Sequence, residues 1–279
     1  MLVFKSIKNL QDHLSSFSTD KTIGFVPTMG ALHKGHLSLI RSASLNNDFV
    51  IVSIFVNPTQ FDETEDLKKY PRTLAADISL LKEVKCDIVF APTAAEMYTG
   101  KVESSIFNFD GLEHLMEGKY RTGHFNGMGT IVKKLFEIVN PTNAYFGKKD
   151  FQQLQIIKKM VTKNQLSVNV IGCEIFREED GLAMSSRNTM LTSEQRKVVP
   201  FIYTTLKGVR GKFKTDCIDD CISWVKSEFE KQPLLELEYF QIADEETLQE
   251  AQNKNTTKNY RAFIAIFVGK VRLIDNIKL

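Results

Sequence analysis

The eight residues Phe49 to Val56 read FVIVSIFV, an almost unbroken apolar run rich in β-branched side chains. No helical or alternating period survives in it, so it reads as a strand covered on both faces, the kind found inside a parallel sheet. Its neighbours agree. Thr22 to Val26 is a short apolar run ended by Pro27, Asp87 to Phe90 and Asn143 to Phe146 are short strand-like segments, and Ser167 to Ile171 is another. Between them, Leu37 to Leu45, Leu74 to Val84, Gly127 to Val139 and Phe151 to Lys163 carry helical spacing. Strands alternating with helices predict βαβ units: an α/β, Rossmann-like, doubly wound parallel sheet with helices on both faces.

The pattern changes near Arg177. Helical stretches at Ser193 to Val209 and Asp216 to Glu230 precede strands at Leu237 to Ile242, Tyr260 to Val268 and Val271 to Ile274, with Gly269-Lys270 as a hairpin turn. The expectation is two domains: residues 1–176 as the Rossmann-like body and residues 177–279 as a second, smaller α+β C-terminal domain, with the stretch from Arg177 to Asn188 as the hinge.

A formal net charge of +2 over 279 residues gives no reason to expect nucleic acid or a membrane surface as a partner. No apolar run reaches the ~18 residues a membrane helix needs, and Lys5, Lys8 and Asn9 interrupt the first ten residues where a signal sequence would stand. Cys86, Cys173, Cys217 and Cys221 form no C-x-x-C pair. They read as reduced structural thiols, and the expected location is the cytoplasm.

In a doubly wound sheet, ligands bind beyond the carboxyl ends of the strands, and polar motifs fall there repeatedly. Pro27 to His36 (PTMGALHKGH) follows the first strand and opens a helix. Gly30 and Gly35 allow close backbone approach, the helix N-terminus favours phosphate, and His33 and His36, three apart, can face one ligand. A zinc pair or two surface histidines are the alternatives. Asn57-Pro58-Thr59-Gln60-Phe61 ends the most buried strand. Its amides suit a hydroxy acid, and a proline turn with Asn57 bonded locally accounts for it equally well. Gly147 to Gln153 (GKKDFQQ) offers Gly147 and Lys149 to a nucleotide, while Asp150 either caps the next helix or binds ribose hydroxyls, and Gln153 can point to the same pocket. Asp180 to Asn188 (DGLAMSSRN) places two hydroxyls and a guanidinium in a row, as a polyphosphate clamp or as a polar loop that caps a helix. There is no G-x-x-x-x-G-K-[ST] loop and no G-x-G-x-x-G fingerprint.

The H-K-G-H end of the first motif resembles the HxGH signature of the nucleotidyltransferase and class I aminoacyl-tRNA synthetase superfamily, and Met184 to Arg187 resembles its KMSKS-like signature. With SIFVNPTQF, YPRT, HFNGMGTIVKKLFEIVNP, FGKKDFQQL and the closing RLIDN, the set resembles the pantoate–β-alanine ligase (pantothenate synthetase) family from Pro27 to Asn276.

That resemblance implies an ATP-dependent ligase. Pantoate and ATP give pantoyl adenylate and pyrophosphate, and β-alanine then gives pantothenate and AMP. It also implies Mg²⁺ bound mainly through the nucleotide phosphates, with no protein metal ligand assigned, and a homodimer. ATP contacts carry over to Met29, Gly30, Ala31, Leu32, His33, Lys34, Gly35 and His36, to Gly147, Lys149 and Asp150, to Phe176, and to Met184, Ser185, Ser186 and Arg187. His36 matches the family's proton donor; His33, Lys149 and Arg187 join it as the catalytic set. Gln60 and Gln153 match the pantoate-binding glutamines, Asn57 supports them, and Asp77 after YPRT is a candidate to place Mg²⁺ through water. A nucleotidyltransferase acting on a phosphorylated acceptor, a non-catalytic nucleotide-binding protein and a tRNA synthetase are the competing classes. The amide-rich NPTQF and DFQQL segments, the intact cation set and the lack of a basic anticodon-binding extension argue against them in turn.

Overall fold

The computed structural model describes residues 1–61, 67–68 and 70–279. The chain divides into two compact units, one of residues 1–148 and 152–174, the other of residues 149–151 and 175–279.

The first unit is built on a six-stranded parallel sheet: β1 (Leu2–Phe4), β2 (Ile23–Thr28), β3 (Phe49–Ile54), β4 (Ile88–Phe90), β5 (Asn143–Gly147) and β6 (Asn169–Cys173). Their order in space is β1-β4-β3-β2-β5-β6. From β2 the chain first adds strands on one side and later returns to add β5 and β6 on the other, so the order reverses at β2. This is the topological switch point of a doubly wound sheet, where ligand crevices form. Val50, Ile51 and Val52 are fully buried, as the apolar run required.

Alternate residues serve opposite faces. Val26, Val50, Val52 and Val89 pack with Leu37 and Ile40 of α2 (Lys34–Asn46) and Leu81 of α3 (Leu74–Lys82). Toward the other face, Phe25 meets Phe136 of α4 (His124–Val139) edge-on, with ring centroids 6.3 Å apart.

Two local features differ from expectation. Strand β2 runs through Pro27 to Thr28 instead of stopping at Val26. Phe55 N–H donates to Thr28 O, which turns Thr28 toward β3 and its neighbour Pro27 toward β5. Strand β5 pairs with β2 only at Gly24 and Phe25, so no donor is required of Pro27 on that side. Strand β1 and the helix Ile7–Leu14 were not anticipated, because a three-residue edge strand is too short to show a period.

The second unit carries an antiparallel sheet of Glu236–Asp244 (β7), Tyr260–Val268 (β8) and Val271–Lys278 (β9) in that order. Helices α6 (Phe201–Lys212) and α7 (Ile218–Glu230) cover it, α5 being Phe151–Lys163. Its core joins Ile202, Leu206 and Val209 to Val225 and Phe229 and to Ile242, Ile264 and Ile266 of the sheet. The single helix expected over Ser193 to Val209 is interrupted: one turn ends at Val198 and α6 begins after Pro200, which has no N–H to continue the ladder. Cys217 caps α7, its sulfur accepting from Asp220 N–H at 3.3 Å. Burial pushes the Cys86 thiol up to about 12, so it stays protonated at neutral pH. Among the described residues no helix is long and apolar enough to cross a membrane.

Candidate functional site

The loop after β2 supplies the first part of the site. Gly30 has φ +83° and Ala31 φ +50°, two successive residues in the left-handed region. Gly30 meets the need without strain. Ala31 does not, and backbone strain of this kind persists only where the surroundings hold it.

Asp77 of α3 is the holder. It is 1% exposed, and its two oxygens accept from Ala31 N–H at 3.1 Å and Leu32 N–H at 2.8 Å, with the Thr73 hydroxyl at 3.2 Å. Asp77 thus fixes the loop through both of its oxygens.

The two histidines come next. His33 is the N-cap of α2, its Nδ1 accepting from Gly35 N–H at 3.1 Å, while Nδ1 of His36 accepts from His33 N–H at 3.3 Å. The rings lie 4.1 Å apart, centroid to centroid. With Nδ1 an acceptor in each, the neutral imidazoles carry their hydrogen on Nε2. A reciprocal capping box is ordinarily built from Ser or Thr with Glu or Gln. Here two histidines build it, and the box sets both tautomers.

This geometry changes the physical basis of the expected phosphate site. Gly30 N–H donates to the Thr28 hydroxyl at 3.2 Å, and the N–H groups of Ala31, Leu32, His33 and Gly35 are likewise used inside the unit. These five backbone donors are therefore committed inside the unit. What the turn presents is imidazole, at a helix end with no acidic residue in its first turn.

The segment after β3 is shaped by α4. Asn57 is fully buried: Nδ2 donates to Gly127 O at 3.1 Å, and Oδ1 accepts from Tyr98 Oη at 2.5 Å and Thr59 Oγ1 at 3.2 Å. Its amide braces the loop that carries Gln60. Gln60 is 8% exposed, and its carbonyl meets His124 Nδ1 at 3.0 Å. A β-carbon on Gly127 would lie 1.9 Å from Thr59 O. We expect Gly127→Ala to destabilise the protein by about 3 kcal/mol through this overpacking, read as a shift of the urea midpoint. A loss below ~1 kcal/mol would show that the loop yields freely.

Gly147 closes β5, and Gln153 is partly exposed on α5. Its neighbour Gln152, which the sequence did not single out, is buried and fully used. Nε2 donates to Leu112 O at 2.8 Å and Leu115 O at 2.7 Å, and Oε1 accepts from Glu117 N–H at 3.0 Å.

The remaining candidates belong to the second unit. Lys149, Ser185, Arg187, Arg272 and Asp275 line one cavity there. Phe176 O accepts from Met184 N–H at 3.0 Å, tying two expected nucleotide contacts together. Ser185 caps the short turn Ser186–Met190, its hydroxyl accepting from Arg187 N–H at 3.2 Å. Arg187 is exposed. Lys149 Nζ lies 3.3 Å from Asp150 Oδ1, and its side chain is 20% exposed.

Two ion-pair systems hold the loop that bears Ser185. Arg196 reaches Glu178 at 2.6 Å and Asp180 at 2.5 Å, and Arg177 forms a bidentate pair with Asp275 at 2.6 and 3.0 Å. Burial pushes the Asp275 carboxyl up, with Arg177 opposing it. Arg272, paired to Glu238 at 2.6 Å, was missed by sequence reasoning. An arginine in a strand gives no signal until the fold shows what it lines.

The pantoate-beta-alanine ligase family model matches residues 2–278. The pantothenate synthetase of Flavobacterium psychrophilum is 54% identical, and that of Christiangramia forsetii 52%, each over the whole of this chain and at least 99% of the relative. Among solved structures, the pantothenate synthetase of Thermus thermophilus matches with a TM-score of 0.91 at 37% identity, covering 100% of this chain and 99% of that one. The pantoate-beta-alanine ligase of Francisella tularensis, complexed with beta-gamma ATP and beta-alanine, matches with a TM-score of 0.79 at 36% identity, covering 100% and 97%.

Proposed function

The chain belongs to the pantoate-beta-alanine ligase family, and from that premise we propose that it condenses pantoate with β-alanine to give pantothenate, cleaving ATP to AMP and pyrophosphate. A pantoate carboxylate oxygen attacks the α-phosphorus, the bond to the β-phosphate breaks, and pyrophosphate leaves. The β-alanine amine then attacks the acyl carbon of the adenylate, loses a proton, and AMP departs. The substrate supplies the nucleophile, so no covalent enzyme intermediate is needed.

The first step brings two anions together, and the protein's task is to neutralise charge and hold geometry. The observation that carries the chemistry is the paired imidazoles on α2, each with Nδ1 held by a backbone N–H and Nε2 set as donor. His36, assisted by His33, donates to the phosphate oxygens as charge develops. Lys149 and Arg187 supply fixed positive charge, with Ser185 and Ser186 as hydroxyl donors. Gln60 and Gln153 are assigned to pantoate. ATP is taken as its magnesium complex, and the metal's chemistry is charge neutralisation on the phosphates.

We read residues 1–176 as the ATP- and pantoate-binding body and residues 177–279 as the smaller lid domain. A homodimer and a cytoplasmic location complete the proposal.

The test is product analysis with each substrate omitted in turn. Pantothenate and AMP should appear only with ATP, pantoate and β-alanine all present, and pyrophosphate should appear in single turnover with ATP and pantoate alone. Transfer of the nucleotide to a phosphorylated acceptor would replace this reading, and ATP binding with no pyrophosphate release would end it.

A further inference from the structure

The closing RLIDN segment has no role in the reaction as described, yet it reaches the lysine on which the reaction depends. Asn276 lies on β9 and is 1% exposed. Its Nδ2 donates to Lys149 O at 2.8 Å, and its Oδ1 accepts from Arg261 Nη1 at 2.6 Å. Its backbone N–H donates to Asp275 Oδ1 at 2.7 Å.

Arg261, on β8 and 6% exposed, is fixed in turn by Glu245, with Nε and Nη2 at 2.9 and 2.7 Å from one carboxylate oxygen. The same guanidinium sits 4.1 Å from the centroid of the Phe151 ring, and Phe263 lies 5.9 Å from that ring. Residues 149–151 are thus held by β8 and β9 through one backbone carbonyl and one aromatic ring. This explains why so short a segment counts with the second unit.

Resting on the proposed role of Lys149, we propose that Asn276 is a positioning residue for it. An amide suits the place because it must donate at one end and accept at the other. The carboxylate of an aspartate keeps the acceptor toward Arg261 and loses the donor toward Lys149 O. An alanine loses both. A lysine on a four-carbon stem has a large rotamer space, and fixing its backbone sets the point from which the side chain starts, beside the cavity that Lys149 lines with Ser185 and Arg187. A misplacement of ~1 Å is enough to matter at a reacting centre.

The experiment measures single-turnover adenylate formation in Asn276→Ala, Asn276→Asp, Lys149→Ala and the double variant Lys149→Ala/Asn276→Ala, with melting temperatures alongside. Asn276→Ala and Asn276→Asp should each lower the rate about 10-fold, with KM for pantoate nearly unchanged. Added to Lys149→Ala, the Asn276 change should cost less than ~2-fold, because partners acting through one group are not additive. Multiplying losses in the double variant would make Asn276 a general structural residue and overturn the inference. So would a full rate in Asn276→Asp while Lys149→Ala is slow. If Lys149→Ala alone is near normal, the site reading fails first and takes this inference with it.

Discussion

Lys149→Ala is expected to slow adenylate formation at least ~100-fold in single turnover, the loss typical of one transition-state donor, while the protein melts nearly as before. The rate effect follows from charge. A carboxylate approaching a triphosphate meets strong repulsion, and Lys149 lines a cavity with Arg187 and Ser185. The small stability effect follows from exposure. The ion pair of Lys149 with Asp150 is partly solvated, at 20% and 49% side-chain exposure, and such pairs contribute about 0–1 kcal/mol. Rapid-quench measurement of pyrophosphate release from ATP and pantoate checks the first half, and a thermal melt the second. A near-normal burst would remove Lys149 from its assigned role.

Arg177→Met should destabilise the second unit by about 3–5 kcal/mol, the usual consequence of leaving one member of a buried pair uncompensated. Arg177 grips Asp275 through both terminal nitrogens, donates to Gly181 O at 3.0 Å, and lies 3.6 Å from the Tyr203 ring centroid. Asp275 keeps only 3% of its side-chain exposure. Without the guanidinium, its charged form loses its main support. Burial already raises this carboxyl above the unfolded value, so the folded state binds the extra proton and stability falls as pH rises through that range. The deficit of Arg177→Met should therefore be larger at pH 8 than at pH 5. The double variant Arg177→Met/Asp275→Leu should recover part of it, because no charge is left buried. Urea midpoints at the two pH values decide this. A loss under ~1 kcal/mol, or one that ignores pH, would show that the pair contributes little.

Much of this was legible in the chain before any coordinates. The strand over Phe49 to Ile54 and the helices over Leu74 to Lys82 and Phe151 to Lys163 lie close to where their periods put them. The motif Pro27 to His36 does lie between a strand and a helix. What failed was local in another way. Pro27 reads as a strand end, yet the strand continues, because whether a missing N–H matters depends on which neighbour it faces. The Ser193 to Val209 stretch reads as one helix if Pro200 is passed over, and the proline divides it.

The polar residues show the deeper limit. Asn57 and Gln153 look alike as candidate amides, and so do Gln152 and Gln153. Asn57 and Gln152 turn inward to carbonyls 70 and 40 or fewer positions away in sequence. Asp77, 46 positions from Ala31, takes the N–H groups of Ala31 and Leu32.

By itself the sequence determined the alternation of strand and helix, the break into a second α+β unit and the placing of polar motifs after strands, because period and turn chemistry act over a few residues. Tertiary structure alone decided the strand order with its reversal at β2, the pairing of Asn276 with Lys149, and which polar groups are consumed inside the protein. Hydrogen-bond partners and ion pairs are chosen by proximity in space, and proximity across tens of residues exists only once the chain has folded.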